Sequence, residues 1–400
     1  MAPKRSAANA SAKSPPSTRK ILVTAAEGQT GRLLIDLLVD ETYRSKFQSL
    51  TALVFSEDAK AVLAEYEDVQ VLVFDPSDEK ALVRAMEQVD TCMLIPPARK
   101  DKAKITRTLL EAAKKAKTVT NMVFLSSAGA DYAERDKQPR LREFIDLEHL
   151  AMQPKADPSS GDTGHSTCVI RAGFYMENLL LYTKQAQAEG KLPIPIDPNN
   201  KFAPVALGDV VQVAAHALTS QGPHGLADDV RGEILIVTGP MMTAGPELAT
   251  AASQALGTKM EFESVSEEKA KQILSSEQGS EVDEAEKEYL LEYYSLVREG
   301  KTNYVSNLPM LAYFGHRGQE PSDFFKTYNE EFKPKRRRTA KNGGHAETKK
   351  QPARASGRGK GTKKAEDEDD HMEEPAAGEE TVGDGGAVAE SGRSTVTKGL

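Results

Sequence analysis

The chain has 400 residues and a formal net charge of -8, with 52 basic and 60 acidic side chains distributed very unevenly along it. No apolar run approaches the roughly 20 residues that cross a bilayer as a helix, so we expect no membrane partner. Two cysteines are too few for a disulfide framework. Their scarcity excludes the small disulfide-bonded secreted proteins and favours a reducing compartment.

Composition divides the chain into three parts. Residues 1–18 are basic, rich in alanine and serine, and free of acidic side chains, so we expect a disordered tail. Residues 333–400 are first basic and then acidic. They contain too few apolar side chains to offset the entropy of ordering, and we expect a second disordered tail there. Residues 19–332 carry the apolar pattern of a folded domain.

The folded domain begins with a strand that runs through a glycine loop into a helix. Apolar residues 21–23 predict a buried strand, and the segment from Arg32 onward predicts an amphipathic helix. Between them, Ala25, Gly28 and Gly31 are small residues spaced by three. This arrangement brings backbone N–H groups and a helix N-terminus to a phosphate. A tight turn without a ligand is the alternative interpretation of the same pattern.

Strands and helices then alternate along the chain. The pattern predicts strands at residues 50–55, 69–74, 91–95 and 122–125, and helices at residues 58–65, 78–88 and 102–116. Such alternation is typical of a parallel sheet that is covered by helices on both faces. Right-handed crossovers place the C-terminal ends of the strands along one edge, where such sheets bind their ligands.

Later segments extend this sheet and add a smaller region. The pattern predicts a strand and helix at 168–180, a helix at 209–218, a last strand at 233–238, and mostly helix at 246–299. The predicted fold is α/β, a doubly wound parallel sheet with a smaller, partly helical C-terminal region between the disordered charged tails. The sheet domain takes about residues 19–165 plus the later strands, and the smaller region takes mainly 175–205 and 245–332.

Several segments resemble one known family when they are taken in order. TAAEGQTGRLL, VFLSSAGA, RAGFYMENLL and FAPVALGDVVQVAAHAL resemble the NmrA-like branch of the atypical short-chain dehydrogenases. The later YYSLVREGKTNYVSN and PSDFFKTYNEEF resemble its fungal members. The resemblance covers about residues 19–332 and neither tail. It implies a Rossmann domain that binds NADP or NAD, with the small C-terminal region closing over it.

The resemblance also implies which residues contact the dinucleotide. In the family, the glycine loop contacts the pyrophosphate, the residues after the second strand meet the adenosine ribose, and later strand ends flank adenine and nicotinamide. The cofactor-binding residues implied here are Ala25, Gly28, Gln29, Thr30 and Gly31 in the loop, Phe55 and Ser56, Phe74 and Asp75, Pro96, and Phe174 near the nicotinamide. All of them lie at the C-terminal ends of predicted strands.

The choice between NADP and NAD stays open at the sequence level. NADP-preferring members place an arginine after the second strand to pair with the 2′-phosphate, and this chain has Phe55 there. Lys60 is the nearest cation, and Glu57 would have to turn back to hold a ribose 2′-OH. Glu27 puts a negative charge where the pyrophosphate is expected, which predicts weak cofactor binding.

No proton donor for hydride-transfer chemistry is evident. Tyr132 follows a predicted strand end, but Asp136 occupies the position where a lysine would lower the pKa of the phenol. The reductases that the chain resembles use a lysine four residues before a glutamate. If Glu148 is that glutamate, Phe144 occupies the lysine position. The remaining candidates, each with a simpler structural role, are Ser126, Ser127, His149 and His165.

Three functions are compatible with this pattern. A dinucleotide fold without a proton donor predicts a non-catalytic redox sensor or regulator, in which bound dinucleotide changes the surface offered to a regulatory protein partner. The alternative is a reductase of a small carbonyl or quinone-like substrate, with Tyr132 or a bound water as the acid. A chromatin-associated protein that uses its basic tail is a third hypothesis.

The basic tail carries one compact cationic cluster. Lys335, Arg336, Arg337 and Arg338 are consecutive, which is typical of a signal that binds an import receptor or of an arm with weak nucleic-acid contact. A solubilising tail whose basic and acidic halves partly neutralise each other is the simpler interpretation. We therefore expect the protein in the nucleus, the cytoplasm or both.

Deletion of residues 335–400 from a fluorescently tagged chain should lower its nuclear-to-cytoplasmic intensity ratio, because the cationic cluster is lost. Deletion of residues 366–400 alone removes the acidic segment and keeps the cluster, so this control should leave the ratio unchanged. An unchanged ratio after the larger deletion would argue against an import signal.

Overall fold

The computed structural model describes residues 17–153, 166–276 and 282–333, so the two predicted tails lie almost entirely outside the described residues. The strands are β1 (Lys20–Val23), β2 (Ser49–Val54), β3 (Val69–Val73), β4 (Thr91–Leu94), β5 (Asn121–Ser127), β6 (Ser166–Ala172), β7 (Lys191–Ile194), β8 (Lys201–Phe202), β9 (Ile234–Val237), β10 (Thr243–Ala244) and β11 (Glu261–Ser264).

The described helices follow the crossover pattern that the sequence predicts. They are α1 (Gln29–Val39), α2 (Glu41–Arg44), α3 (Glu57–Leu63), α4 (Glu79–Met86), α5 (Lys102–Lys115), α6 (Pro139–Met152), a 3-10 helix (Met176–Tyr182), α7 (Thr183–Glu189), α8 (Leu207–Thr219), α9 (Gly245–Leu256), α10 (Glu267–Leu274), α11 (Glu284–Arg298), α12 (Leu308–Phe314), α13 (Pro321–Thr327) and α14 (Asn329–Phe332).

Seven parallel strands form the central sheet, in the order β3-β2-β1-β4-β5-β6-β9. β1 lies between β2 and β4, so the strand order reverses beside it. Loops on the two sides of such a reversal diverge and leave a crevice at the C-terminal ends of the strands. The predicted α/β fold with a doubly wound parallel sheet is confirmed.

Each face of the sheet has its own apolar core. One core joins the strands to α1 and α8, and the other joins them to α4, α5 and α6. The central strands β4 and β5 are buried along their whole length, as strands covered on both faces must be. In α5 the apolar residues Ile105, Leu109 and Leu110 recur at helical spacing and are 1% exposed each.

The smaller region has a separate aromatic core. Here β7 pairs with β11 in parallel, and β8 pairs with β10 in antiparallel orientation. The ring of Phe174 contacts Phe202, Tyr293 and Tyr294 at centroid distances of 5.4, 5.5 and 5.2 Å. These contacts hold α11 close to the C-terminal end of β6, so the smaller region covers part of the sheet edge where the crevice opens.

A buried ion pair joins α6 to the sheet. Both oxygens of the Glu148 carboxylate accept hydrogen bonds from Arg171 of β6, at 2.9 Å from Nε and 2.7 Å from Nη2. Ser126 of β5 donates a third hydrogen bond to the same carboxylate. Only 6% of the Glu148 side chain is exposed, so these donors, and not water, stabilise the carboxylate.

Arg171→Met should destabilise the domain by about 3 kcal/mol, because it leaves a buried carboxylate without its main cationic partner. The free energy of unfolding from urea titration measures the loss. Arg135→Met is the matched control, since Arg135 makes a similar two-bond pair with Asp146 but its side chain is 68% exposed. We expect no measurable loss in the control, and equal losses in the two variants would contradict the assigned role of Arg171.

Candidate functional site

The loop after β1 has a conformation that glycine usually supplies. Ala25 has φ +47°, in the left-handed region, which costs a residue with a Cβ about 1 kcal/mol. The side chain of Thr24 fixes the neighbouring strand end, since its hydroxyl accepts from the Ile95 N–H at 2.9 Å and donates to the Ile95 carbonyl at 3.1 Å. The loops after β1 and β4 are therefore tied together where the crevice opens.

Helix α1 packs unusually close to this loop. A Cβ on Gly31 would lie 2.6 Å from the carbonyl oxygen of Ala25 and 2.7 Å from the Cα of Ala26. Gly28 is the N-cap of α1 and offers no capping side chain, and the first turn contains no acidic residue. The positive end of the helix dipole is therefore not neutralised by the helix itself, which suits an anionic ligand.

A cavity of about 300 Å³ begins at this loop. Its walls come from residues 25 and 28–31, the segment 95–98 after β4, the ends of β5 and β6, the 3-10 helix, and side chains of α5, α6 and α11. The lining is mostly apolar, with a few polar and ionisable side chains. This combination is typical of a small-molecule site.

The structure distributes the predicted cofactor-binding residues over three places. Ala25, Gly28, Gln29, Thr30, Gly31 and Pro96 line the cavity. Phe55 and Phe74 follow β2 and β3, and their rings contact each other at 4.6 Å. The polar atoms beside them are already used within their own loops, since Ser56 Oγ accepts from the Ala59 N–H and Asp75 accepts from the N–H and hydroxyl of Ser77.

Phe174 lies in the aromatic core of the smaller region and is 2% exposed. It is absent from the described lining of the cavity, whereas the adjacent Tyr175 is part of it. The backbone is extended at Tyr175, so consecutive side chains point in opposite directions. Phe174 therefore points away from the cavity, and the neighbouring Tyr175 faces it.

Lys102 is a cavity residue that the sequence analysis missed. Its Nζ lies 4.0 Å from the ring centroid of Phe144 and donates to the Arg140 carbonyl at 2.9 Å. Burial lowers the pKa of Lys102, and the nearby carboxylates of Glu143 and Glu286 oppose that shift. Phe144 does stand where the family lysine is expected, but an ammonium group reaches the same ring from α5.

A signal for Lys102 was present in the sequence. The first turn of a helix favours acidic side chains, and α5 has none there and begins with a lysine. A cation at the positive end of a helix dipole needs compensation from another element. Here that compensation comes from the Phe144 ring and the Arg140 carbonyl group, both of α6.

Two further ionisable side chains reach the cavity from α11. The hydroxyl of Tyr289 lies 2.9 Å from Ser127 Oγ in a hydrogen bond, and burial raises the pKa of Tyr289 above its usual value. Burial also raises the pKa of Glu286, while the charge of Lys102 opposes the shift. The cavity thus combines a neutral phenol, a carboxyl group that binds its proton more tightly than usual, and a buried ammonium group.

The other candidates for a proton donor lie elsewhere or are engaged. Tyr132 is 52% exposed and is absent from the described cavity lining. Ser126 lines the cavity but donates its hydroxyl hydrogen to Glu148. His149 is exposed, and His165 lies outside the described residues. Within residues 17–153, 166–276 and 282–333, no group of three or more side chains is arranged to hold a metal ion.

Comparison with known proteins identifies the family. The profile of the NmrA-like family matches residues 17–308, so the chain belongs to that family. A curated relative, the NAD(P)H azoreductase of Xenophilus azovorans, is 26% identical over 255 residues, which cover 64% of this chain and 80% of the relative. In the part of the chain that the structure describes, no helix is both long and apolar enough to span a membrane.

Solved structures of low sequence identity share the fold. The triphenylmethane reductase of Citrobacter sp. with NADP(H) is 19% identical with a TM-score of 0.62, covering 77% of this chain and 99% of that one. An NADPH-dependent quinone oxidoreductase of Escherichia coli with NADPH is 21% identical with a TM-score of 0.61, and the match covers 77% of this chain and 99% of that one. The structure of NmrA, a negative transcriptional regulator, in complex with NAD is 14% identical with a TM-score of 0.58. This match covers 78% of this chain and 95% of that one.

Gly31→Ala should destabilise the domain by about 2 kcal/mol and weaken any ligand held at the start of α1, because the new Cβ meets backbone atoms that cannot rotate away. Gly28→Ala is the control, since its Cβ would meet only the Ala25 carbonyl oxygen, at an ordinary 3.4 Å. Thermal and urea unfolding measure the stability of both variants. If the two variants are equally stable, the close approach at Gly31 is not what positions α1.

Proposed function

We propose that the protein is a reductase that uses a reduced nicotinamide dinucleotide to reduce a small, flat, two-electron acceptor of the quinone type. One observation carries the proposal. A single cavity begins at the uncapped end of α1 and continues to Lys102, Glu286 and Tyr289. An anion-binding loop and ionisable groups of perturbed pKa in one apolar cavity are the combination expected at a catalytic site.

The residues present fit a dinucleotide. Gln29, Thr30 and Gly31 offer the first-turn N–H groups of α1 to a pyrophosphate, and the tight packing at Gly31 keeps this helix end at the sheet edge. The paired rings of Phe55 and Phe74 form an apolar surface at the ends of β2 and β3 for an adenine base. The similar structures that contain NADP(H), NADPH or NAD support this assignment.

The bound dinucleotide supplies a hydride, and the side chains of this chain supply the rest. Reduction of a quinone to a hydroquinone takes one hydride and one further proton. Lys102 uses one N–H donor on the Arg140 carbonyl, and an ammonium group has three. Its other donors can stabilise the phenolate oxygen that forms. A phenol has an ordinary pKa near ~10, so the ammonium group can also transfer the proton.

The cavity lining favours a small aromatic substrate. The rings of Phe144 and Tyr289 offer apolar walls beside Lys102, whose Nζ lies 4.0 and 5.9 Å from their centroids. The azoreductase, triphenylmethane reductase and quinone oxidoreductase among the similar proteins are named for azo, triphenylmethane and quinone substrates, which are two-electron acceptors. That shared chemistry supports the substrate class.

A non-catalytic sensor is the second candidate. Two observations favour it. Phe144 occupies the family lysine position, and Tyr132 is exposed, so neither residue places a proton donor in the cavity. In this case bound dinucleotide would order the loops at the edge of the sheet and change the surface offered to a regulatory partner. The similarity to NmrA supports this alternative.

Nuclear import and contact with nucleic acid or chromatin stay proposals. They depend on Lys335, Arg336, Arg337 and Arg338, which lie outside the described residues. Either candidate function is compatible with them, since the tail and the cavity are separate parts of the sequence.

Lys102→Met should lower kcat for a soluble benzoquinone by about 100-fold, because the proton donor of the cavity is lost. In the unmodified protein kcat should fall as the pH rises through the pKa of Lys102, which burial lowers, since only the protonated form donates. That decrease should be absent from the pH profile of the variant.

Lys104→Met is the matched control, because Lys104 lies on the same helix and is exposed. It should keep both the kcat and the pH profile of the unmodified protein. Unchanged kinetics in Lys102→Met would contradict the role of Lys102. Binding of NADH or NADPH without turnover, over a panel of quinones, azo dyes and aldehydes, would favour the sensor instead.

A further inference from the structure

Glu27 lies in the loop between β1 and α1, and its carboxylate reaches the end of β2. The sequence suggested a negative charge beside the pyrophosphate. In the structure, Glu27 Oε1 instead accepts the N–H of Phe55 at 3.0 Å. This bond uses a backbone donor that β2 leaves free where the strand ends, and it fixes the direction of the glutamate side chain.

The second oxygen of the same carboxylate is buried. Within the part of the chain that the structure describes, Glu27 Oε2 has no hydrogen-bond partner. A buried carboxylate oxygen without a hydrogen bond is unfavourable, because it has lost water and gained nothing in return. A bound molecule with a hydroxyl group at this point would supply the missing donor.

The position of this oxygen indicates which hydroxyl group it would bind. In doubly wound sheets, a carboxylate at the end of the second strand accepts the 2′-OH of the adenosine ribose, while the phosphates lie at the start of the first helix. Glu27 reaches that strand end through the Phe55 N–H, beside the paired rings of Phe55 and Phe74. The chain has no acidic residue at position 55 to take this role.

Two cations near the end of β2 are paired with carboxylates. The Arg99 guanidinium lies 4.9 Å from the ring centroid of Phe55 and is bonded to Asp101 at 3.2 Å. Lys60 lies 3.6 Å from the carboxylate of Glu57. A 2′-phosphate would therefore meet the negative charge of Glu27 with no uncommitted cation among these residues to balance it.

We propose that Glu27 makes this protein selective for NAD(H) over NADP(H), by accepting the ribose 2′-OH and repelling a 2′-phosphate. The inference rests on the dinucleotide-binding part of the proposed function. A glutamate from the glycine loop performs the task that the residue after the second strand performs in other dinucleotide-binding proteins.

Isothermal titration of the full chain with NADH and with NADPH, without any substrate, tests the assignment. NADH should bind at least about tenfold more tightly, since a hydrogen bond to a charged group is gained and a repulsion is avoided. Glu27→Gln keeps an oxygen for the Phe55 N–H and replaces the unpaired oxygen with an N–H donor. The ratio of the two dissociation constants should then approach one or invert.

Asp58→Asn is the matched control, because Asp58 also follows β2 and is exposed. It should keep the ratio of the unmodified protein. Thermal unfolding of each variant shows that the fold is retained, and Glu27→Ala offers a second variant without any hydrogen-bonding group.

Two results would overturn the inference. The first is tighter binding of NADPH than of NADH by the unmodified protein. The second is a ratio of the two dissociation constants that Glu27→Gln leaves unchanged. The outcome is independent of turnover. Selective NADH binding without any reductase activity would support the role of Glu27 and contradict the proposed reductase. Steady quinone reduction, with a ratio of dissociation constants that Glu27→Gln does not change, would support the proposed reductase and contradict the role of Glu27.

Discussion

The absence of a side chain at Gly31 is the constraint on which the site depends. A Cβ there would lie 2.6 Å from the Ala25 carbonyl oxygen, so only glycine allows α1 to start this close to the end of β1. The strain at Ala25 belongs to the same geometry, because the loop turns sharply enough to need a left-handed residue. That one close contact positions the helix dipole and the first-turn N–H groups, which are the features that can bind an anion at this edge.

The smaller region turns an open sheet edge into an enclosed site. The sheet domain supplies the loop, the β5 and β6 ends and Lys102, but these alone would face solvent. Helix α11 brings Glu286 and Tyr289 over them, and the bond between Tyr289 and Ser127 joins α11 to β5. The low-dielectric surroundings that result account for the shifted pKa values of Lys102 and Glu286. The cavity chemistry is thus a product of the packing between the two regions.

Much of this architecture could be predicted from the sequence, because hydrophobic periodicity directly reports burial on one or both faces. The glycine loop was predicted for the same local reason. Lys102 was missed because its partner Phe144 is distant in sequence, and no local pattern shows that α5 and α6 bring them within 4.0 Å. Which of Phe174 and Tyr175 faces the cavity depends on a single step along an extended segment, because each step reverses the side-chain direction. The bond between Glu27 and the Phe55 N–H could not be predicted, because it joins residues that are 28 positions apart in the sequence.

The two cysteines limit the ways in which an oxidising signal can reach this protein. Cys92 of β4 and Cys168 of β6 are both 0% exposed, and burial raises the pKa of each thiol to about 12. The thiolate is the form that peroxides and disulfides attack, and it is almost unpopulated here at neutral pH. They are the chain's only cysteines. The folded protein therefore resists direct thiol oxidation, so a response to cellular redox state would need another route, such as the proposed dinucleotide.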